Sequence, residues 1–330
     1  MSQIQKFLFE QLPVRGVIVR LTDTWQEILR RRKSNHGDGA YPLPVQNMLG
    51  EMLAGAALLK ATITFNGSLV LQVQGAGPVQ VAVAELMPDW GMRATATIAQ
   101  QAMPVIPEQA GLPELINHHG KGRCAITLDP ANRLSGQQPY QGIVPLVDEQ
   151  GTPLPHMSAA LEHYMRHSEQ LETTLVLAAD ENVAAGLLIQ RLPVEGVANL
   201  AGSSGADEND DGESHFQRLS MLAQTLQKQE LLNLSMNEVL HRLFWNEKLL
   251  RFAPTADDPV LHFACTCSRK RVADMLLGLG REEADSILAE QGQIEIDCAF
   301  CSQKYRFDKV EVAQIFTPPV QQPPVNQLRQ

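Results

Sequence analysis

Four cysteines in the last quarter of a 330-residue chain constrain its fold more than any other feature. Cys265 and Cys267 stand in HFACTCSRK, and Cys298 and Cys301 in IDCAFCSQKY; the only other cysteine is Cys124. The pattern is Cys-x-Cys, thirty intervening residues, then Cys-x-x-Cys. Four thiolates can close a tetrahedral zinc site with no open position. Each close pair already places two sulfurs on one turn, so the chain between them has to fold back once. The reading is one Zn2+ held by Cys265, Cys267, Cys298 and Cys301, with His262 as an alternative to one sulfur. The spacer predicts two short helices, broken at Gly278–Gly280 and stopped at Gly292. Ile294 and Ile296 then lead as a strand into Cys298, and residues 304–312 supply its partner. This segment carries little apolar surface, so metal binding is expected to provide most of its folding energy.

The first pair has a further chemical property. A Cys-x-Cys disulfide closes a very small ring, and strain makes such a bond easier to reduce. Thiolates are also the form that oxidants attack. Arg269, Lys270 and Arg271 follow directly and would favour thiolate. The spacing therefore permits a switch between a reduced, metal-bound, folded state and an oxidised, metal-free, unfolded one.

The remainder reads as α+β. Residues 1–190 form a mixed domain of helices and a largely antiparallel sheet. Helices are expected over 21–31, 41–63 and 158–172. The second of these is apolar nearly all round, so it should be buried. Strands are expected over 68–86 (a hairpin about Gly75-Ala76-Gly77-Pro78), 94–100, 124–130, 142–147 and 173–180. Residues 191–254 form a helical linker. Its segment 201–214 carries Asp207, Glu208, Asp210, Asp211 and Glu213 and reads as a solvated loop. Residues 216–252 follow as a long amphipathic helical region. Residues 255–316 make the small zinc-binding domain, and the Pro/Gln-rich 317–330 a disordered tail.

Charge narrows the function. The net charge is -10 and aromatic content 5%, which suits neither a phosphate-backbone binder nor a base-stacking platform. No basic, apolar leader opens the chain, and its apolar runs are shorter than the ~20 residues that span a bilayer. A cytoplasmic protein with neither membrane nor nucleic-acid partner is the expectation. In that compartment thiols stay reduced, so clustered cysteines point to metal or redox chemistry.

These residues carry a family likeness. HFACTCSRKR (262–271) and DCAFCSQKYRF (297–307) resemble the cysteine elements of the heat shock protein 33 family, redox-regulated holdase chaperones. Residues 41–85 are similar to that family's N-terminal core. HYMRHSEQLET (163–173) resembles its Tyr-x-x-x-Ser-Glu-Gln element, and NEVLHRLFWNE (237–247) also matches. The acidic insert near 201–214 and the tail after 316 depart from the pattern. The resemblance implies a non-enzymatic, ATP-independent chaperone, inactive while reduced and zinc-bound. It implies that oxidation pairs Cys265 with Cys267 and Cys298 with Cys301, releases zinc and destabilises the linker. The active form would be a homodimer that protects unfolded or oxidatively damaged clients and later passes them to ATP-dependent foldases.

Other features read more plainly. Cys124 reads as a buried strand cysteine. His163 and His167 have helical i, i+4 spacing but lack the glutamate of a zinc protease motif. His118–His119 falls in a loop, and Arg30 to Lys33 in a solvated helix end. Two rival functions are a zinc-ribbon nucleic-acid binder and a thiol–disulfide oxidoreductase using Cys298-Ala-Phe-Cys301. The first conflicts with eleven acidic against seven basic residues over 255–316. The second needs its motif at a helix start, as in thioredoxin-like domains.

Overall fold

The computed structural model describes residues 1–35, 39–99, 106–132, 136–193, 208–252 and 260–317. The chain opens with β1 (Gln3–Phe9) and β2 (Val14–Leu21), followed by α1 (Asp23–Asn35) and α2 (Leu43–Thr62). Next come β3 (Gly67–Gln74), β4 (Val79–Leu86), β5 (Gly91–Ile98), α3 (Leu112–Leu115), β6 (Arg123–Pro130) and β7 (Tyr140–Pro145). Helix α4 (Met157–His167) precedes β8 (Thr173–Ala179) and β9 (Ala184–Arg191).

Helix α2 organises this half. Pro42 and Pro44 sit at its start, where no intrahelical N–H is lost. Every residue from Met48 to Ala61 is buried. It lies between two sheets, because side chains of both join one core around Leu49, Leu53 and Leu58. Two adjoining sheets replace the single sheet expected from sequence. One runs β8, β9, β2, β1; the other runs β5, β4, β3, β6, β7, with neighbours antiparallel throughout.

Strands β1, β2 and β9 have no counterpart in the sequence reading, and β2 and β9 show why. Val17, Val19, Leu21 and Leu188 face the α2 core, while Ile18, Leu187 and Ile189 face a second cluster. A strand buried on both faces loses the apolar–polar alternation that reveals a half-exposed one.

The second cluster is completed by the linker. Helices α5 (Glu208–Gln224), α6 (Lys228–Asn233) and α7 (Met236–Phe244) cover the outer face of the first sheet. Phe216, Leu219, Leu231, Leu240 and Phe244 pack there against Phe7, Phe9 and Ile189. Then β10 (Leu249–Arg251) pairs with β1. Part of the acidic loop is corrected here: from Glu208 the chain is helical. The rest of that insert, 201–207, and the tail from 318 lie outside the described residues.

The cysteine module begins with β11 (His262–Phe263). It continues through α8 (Arg269–Leu279), α9 (Arg281–Gln291), β12 (Ile294–Asp297), β13 (Lys304–Phe307) and α10 (Lys309–Ile315). Gly292 ends α9 at φ 78°, a left-handed geometry that glycine adopts without strain. The partner strand is shorter than 304–312. Asp308 caps α10 by accepting from the N–H groups of Val310 and Glu311, so β13 stops at Phe307.

Candidate metal centre

The two cysteine pairs come from opposite ends of the module. Cys265 and Cys267 lie between β11 and α8; Cys298 and Cys301 occupy the turn between β12 and β13. The second pair is thus not at the first turn of a helix, as an oxidoreductase motif would be. All four sulfurs lie within 4.8 Å of one another. Cys265 Sγ is 3.7 Å from Cys298 Sγ, and Cys267 Sγ is 3.4 Å from Cys301 Sγ. Ligands about 2.3 Å from a tetrahedral zinc stand roughly 3.8 Å apart. The donor set and its spacing therefore fit such an ion.

The surroundings suit anionic sulfur. Backbone amides of Phe300 and Cys301 donate to Cys298, that of Cys267 to Cys265, and that of Gln303 to Cys301. The Tyr305 hydroxyl donates to Cys267 Sγ at 3.2 Å, which pushes the phenol up to about 12. The hydrogen bond between the Cys265 and Cys298 sulfurs, with amide help and Arg93, draws Cys265 down to about 4. The same bond, with burial, raises Cys298. Burial pushes Cys301 up to about 11. A bound divalent ion would reverse those upward shifts, because it stabilises thiolate on every sulfur.

The cation at the sulfurs is one the sequence did not indicate. Arg93 of β5 reaches across 172 positions to place Nη1 3.7 Å from Cys265 Sγ and 3.1 Å from Thr266 Oγ1. Glu85 fixes it from the neighbouring strand at 2.7 and 2.9 Å, and its guanidinium stacks 4.1 Å above the Phe300 ring. Arg93 thereby touches both halves of the cysteine cluster. Next to it, Thr95 Oγ1 donates to Ala299 O at 2.7 Å. Arg269 instead bonds Arg306 O and Glu311, and Arg271 bonds Thr266 O. No local pattern marks Arg93, because its role exists only once the module docks on β5. A cleft of about 600 Å³, lined by Cys265, Cys267, Cys301, Arg31 and Tyr305, opens the sulfurs to small solutes.

Other candidates separate from this cluster. His262 turns away, its Nδ1 2.8 Å from Val260 O, so it stands outside the group of sulfurs. The rings of His163 and His167 lie 4.2 Å apart, tilted by 44°; among the described residues they join no metal-ligating group. His118 and His119 form a single 3-10 turn. Cys124 is fully buried in β6, and burial alone pushes its thiol up to about 12. The solvated helix end is corrected at Arg31 and Arg32. Arg31 stacks 4.4 Å over Phe263, and Arg32 is buried over Tyr41.

A family model described as Hsp33 protein matches residues 2–308. The chain belongs to the Hsp33 family. Among similar proteins, the 33 kDa chaperonin of Chromobacterium violaceum is 40% identical over 96% of this chain and 94% of its own length. That of Nitrosococcus oceani is 38% identical over 98% of this chain and 96% of its own length. The crystal structure of the 33 kDa chaperonin from Thermotoga maritima superposes with a TM-score of 0.68, covering 94% of this chain and 97% of that one. At 20% identity this likeness concerns the fold, and it agrees with the α+β class read from sequence. The Hsp33 assignment supports a chaperone, and its four close cysteines could hold a metal ion. Among the described residues no helix is long and apolar enough to cross a membrane. In the Tyr-x-x-x-Ser-Glu-Gln element, Tyr164 is buried and donates to Glu169 at 2.9 Å.

Proposed function

We propose that the protein is a redox-regulated, ATP-independent holdase, not an enzyme, acting in the cytoplasm on unfolded or oxidatively damaged proteins. The observation that carries this is the set of four sulfurs within 4.8 Å of one another, drawn from two pairs thirty residues apart. In the reduced state Cys265, Cys267, Cys298 and Cys301 hold one Zn2+. When bound, the ion keeps all four sulfurs as thiolates and closes the fold of a module that buries little else.

Under oxidation, Cys265 pairs with Cys267 and Cys298 with Cys301. Each pair gives two electrons to a peroxide, which takes up two protons and leaves as water. The sulfurs then no longer serve as metal donors. The Tyr305 and Arg93 contacts lose their anionic acceptors, and the module 255–316 lets go of the core 1–190. The linker 191–254 loosens from the outer face of the first sheet and uncovers the apolar cluster around Phe7, Phe244 and Leu240. That surface holds clients, in an oxidised homodimer, until reduction passes them to ATP-dependent foldases. The acidic balance of -10 helps keep such complexes soluble and speaks against nucleic-acid binding.

The test measures bound zinc and aggregation of a thermally unfolding client before and after peroxide or hypochlorite. Zinc release together with new protection is expected. Retained zinc with unchanged protection would overturn the proposal.

A further inference from the structure

The stretch that enters the cysteine module lies against the core as a bound peptide would. Leu261 is 5% exposed and joins the α2 core; Phe263 packs on the edge of the same cluster. Between them, β11 runs parallel to β5, His262 opposite Gly91 and Phe263 opposite Met92. The Ala264 amide donates to Met92 O at 3.1 Å. From the other wall, Thr24 Oγ1 donates to Leu261 O at 3.0 Å, and Arg31 lies over the Phe263 ring. Gly91 makes the close approach possible, since a Cβ there would sit 2.6 Å from the Ala264 Cβ. Further along, the Tyr41 hydroxyl accepts from the Ala96 amide at 3.0 Å and donates to Ala96 O at 3.2 Å. The groove therefore has walls in α1 and β5 and a stop at Tyr41.

What holds the segment is largely independent of sequence. Main-chain bonds to a sheet edge accept any extended chain, and pockets for alternate side chains supply the selection. Here the pockets take Leu261 and Phe263, while the His262 side chain between them is 42% exposed. The match is an apolar-x-apolar extended segment, a sequence that unfolded proteins expose and folded ones bury. The occupant's advantage is its tether: a linked segment has an effective concentration in the millimolar range, so it excludes a weak ligand in trans.

We propose that the groove between α1 and β5 is a binding site for extended apolar-x-apolar segments of unfolded chains, shut in cis by Leu261–Ala264. Its physiological opening rests on the redox reading above; its existence as a site does not, and the two are tested apart.

The probe is a fluorescent peptide of residues 258–264, followed by anisotropy against the full chain. In one arm Leu261→Ser and Phe263→Ser vacate the groove of the reduced protein. At least tenfold tighter binding than to the reduced parent is expected, with loss of binding when Gly91→Val is added or when the peptide carries serine at both apolar positions. Equal binding by parent and variant, or indifference to Gly91→Val, overturns the proposal. In the second arm, which needs no substitution, the oxidised parent should bind the peptide at least tenfold tighter than the reduced parent. If it releases zinc and protects a client while neither it nor the vacated variant binds the peptide, the groove proposal fails and the holdase reading stands. If oxidation leaves zinc bound while the vacated variant binds, the groove stands and the redox reading fails.

Discussion

Leu53 in α2 and Phe307 at the end of β13 are both nearly inaccessible, at 0% and 2% exposure, but their surroundings differ. Leu53 sits between two sheets in a core that extends from Val17 to Leu261. Among the described residues, Phe307 shares its cluster with Leu276, Ala284, Ile294 and Val312 as its buried neighbours. On the same module, Met275, Leu277, Leu279 and Val310 remain exposed. Each buried aliphatic or aromatic side chain contributes roughly 1.5–3 kcal/mol, whereas ordering a residue costs about 1–2 kcal/mol in backbone entropy. The α2 region meets that cost by burial. The module is short of burial and has four sulfurs in its place. On the proposed reading, the stability of the α2 region is independent of the four clustered sulfurs, and that of the module rests on them.

The largest effect should come from removing the metal. Chelation of the reduced protein is expected to abolish hydrogen-exchange protection in α8, α9, β12 and β13 while leaving that of α2 and β2 intact. Structural zinc sites contribute on the order of 10 kcal/mol, as much as the burial of the whole five-residue cluster. A module that stays protected without metal would break the contrast. Truncations of equal kind should then diverge. Leu53→Ala is expected to cost about 2–5 kcal/mol and lower the thermal midpoint of the core. Phe307→Ala, at about 3–5 kcal/mol, should instead appear as a roughly hundredfold or greater loss of zinc affinity, because there folding and binding are one equilibrium. Competition with a metallochromic chelator measures it.

Arg93 joins the two regions. Arg93→Gln removes a charged hydrogen-bonding group worth about 1.5–3 kcal/mol and should raise exchange at β11 and β5 in the reduced state with zinc still bound. Unchanged exchange would show that the module docks without it. The smallest effect belongs to Glu27 on α1. Hydrogen bonds from Arg30 and Arg31 hold its carboxyl down to about 2. A depressed carboxylate stabilises the fold above its ordinary titration range and loses that contribution as pH falls toward 2. Glu27→Gln should therefore melt slightly below the parent at pH 6, by no more than a surface ion pair provides, and coincide with it at pH 2.

The same contrast explains what the sequence revealed. Helix α2 was legible because its apolar character runs all round, and the β3–β4 hairpin because it alternates about a Gly-Pro turn. Helices α8 and α9 were legible from glycines at the observed breaks. The four cysteines were legible from spacing alone. Strands β2 and β9 were not, since burial on both faces removes alternation. Nor were Arg93 beside Cys265 or Leu261 in the α2 core, which depend on surfaces meeting from opposite ends of the chain. Arg31 and Arg32 looked like solvated charges because sequence does not show the Phe263 and Tyr41 rings beneath them.

On the proposed reading, the state of four sulfurs decides whether the module is folded on the core. Hydrogen exchange on the full chain, reduced and then oxidised, tests it directly, with zinc counted in the same samples. Oxidation is expected to free about one zinc per chain and to collapse protection in α8 through β13 and at the β11–β5 contact, while α2 stays protected. Zinc release with the module still protected and docked would contradict it.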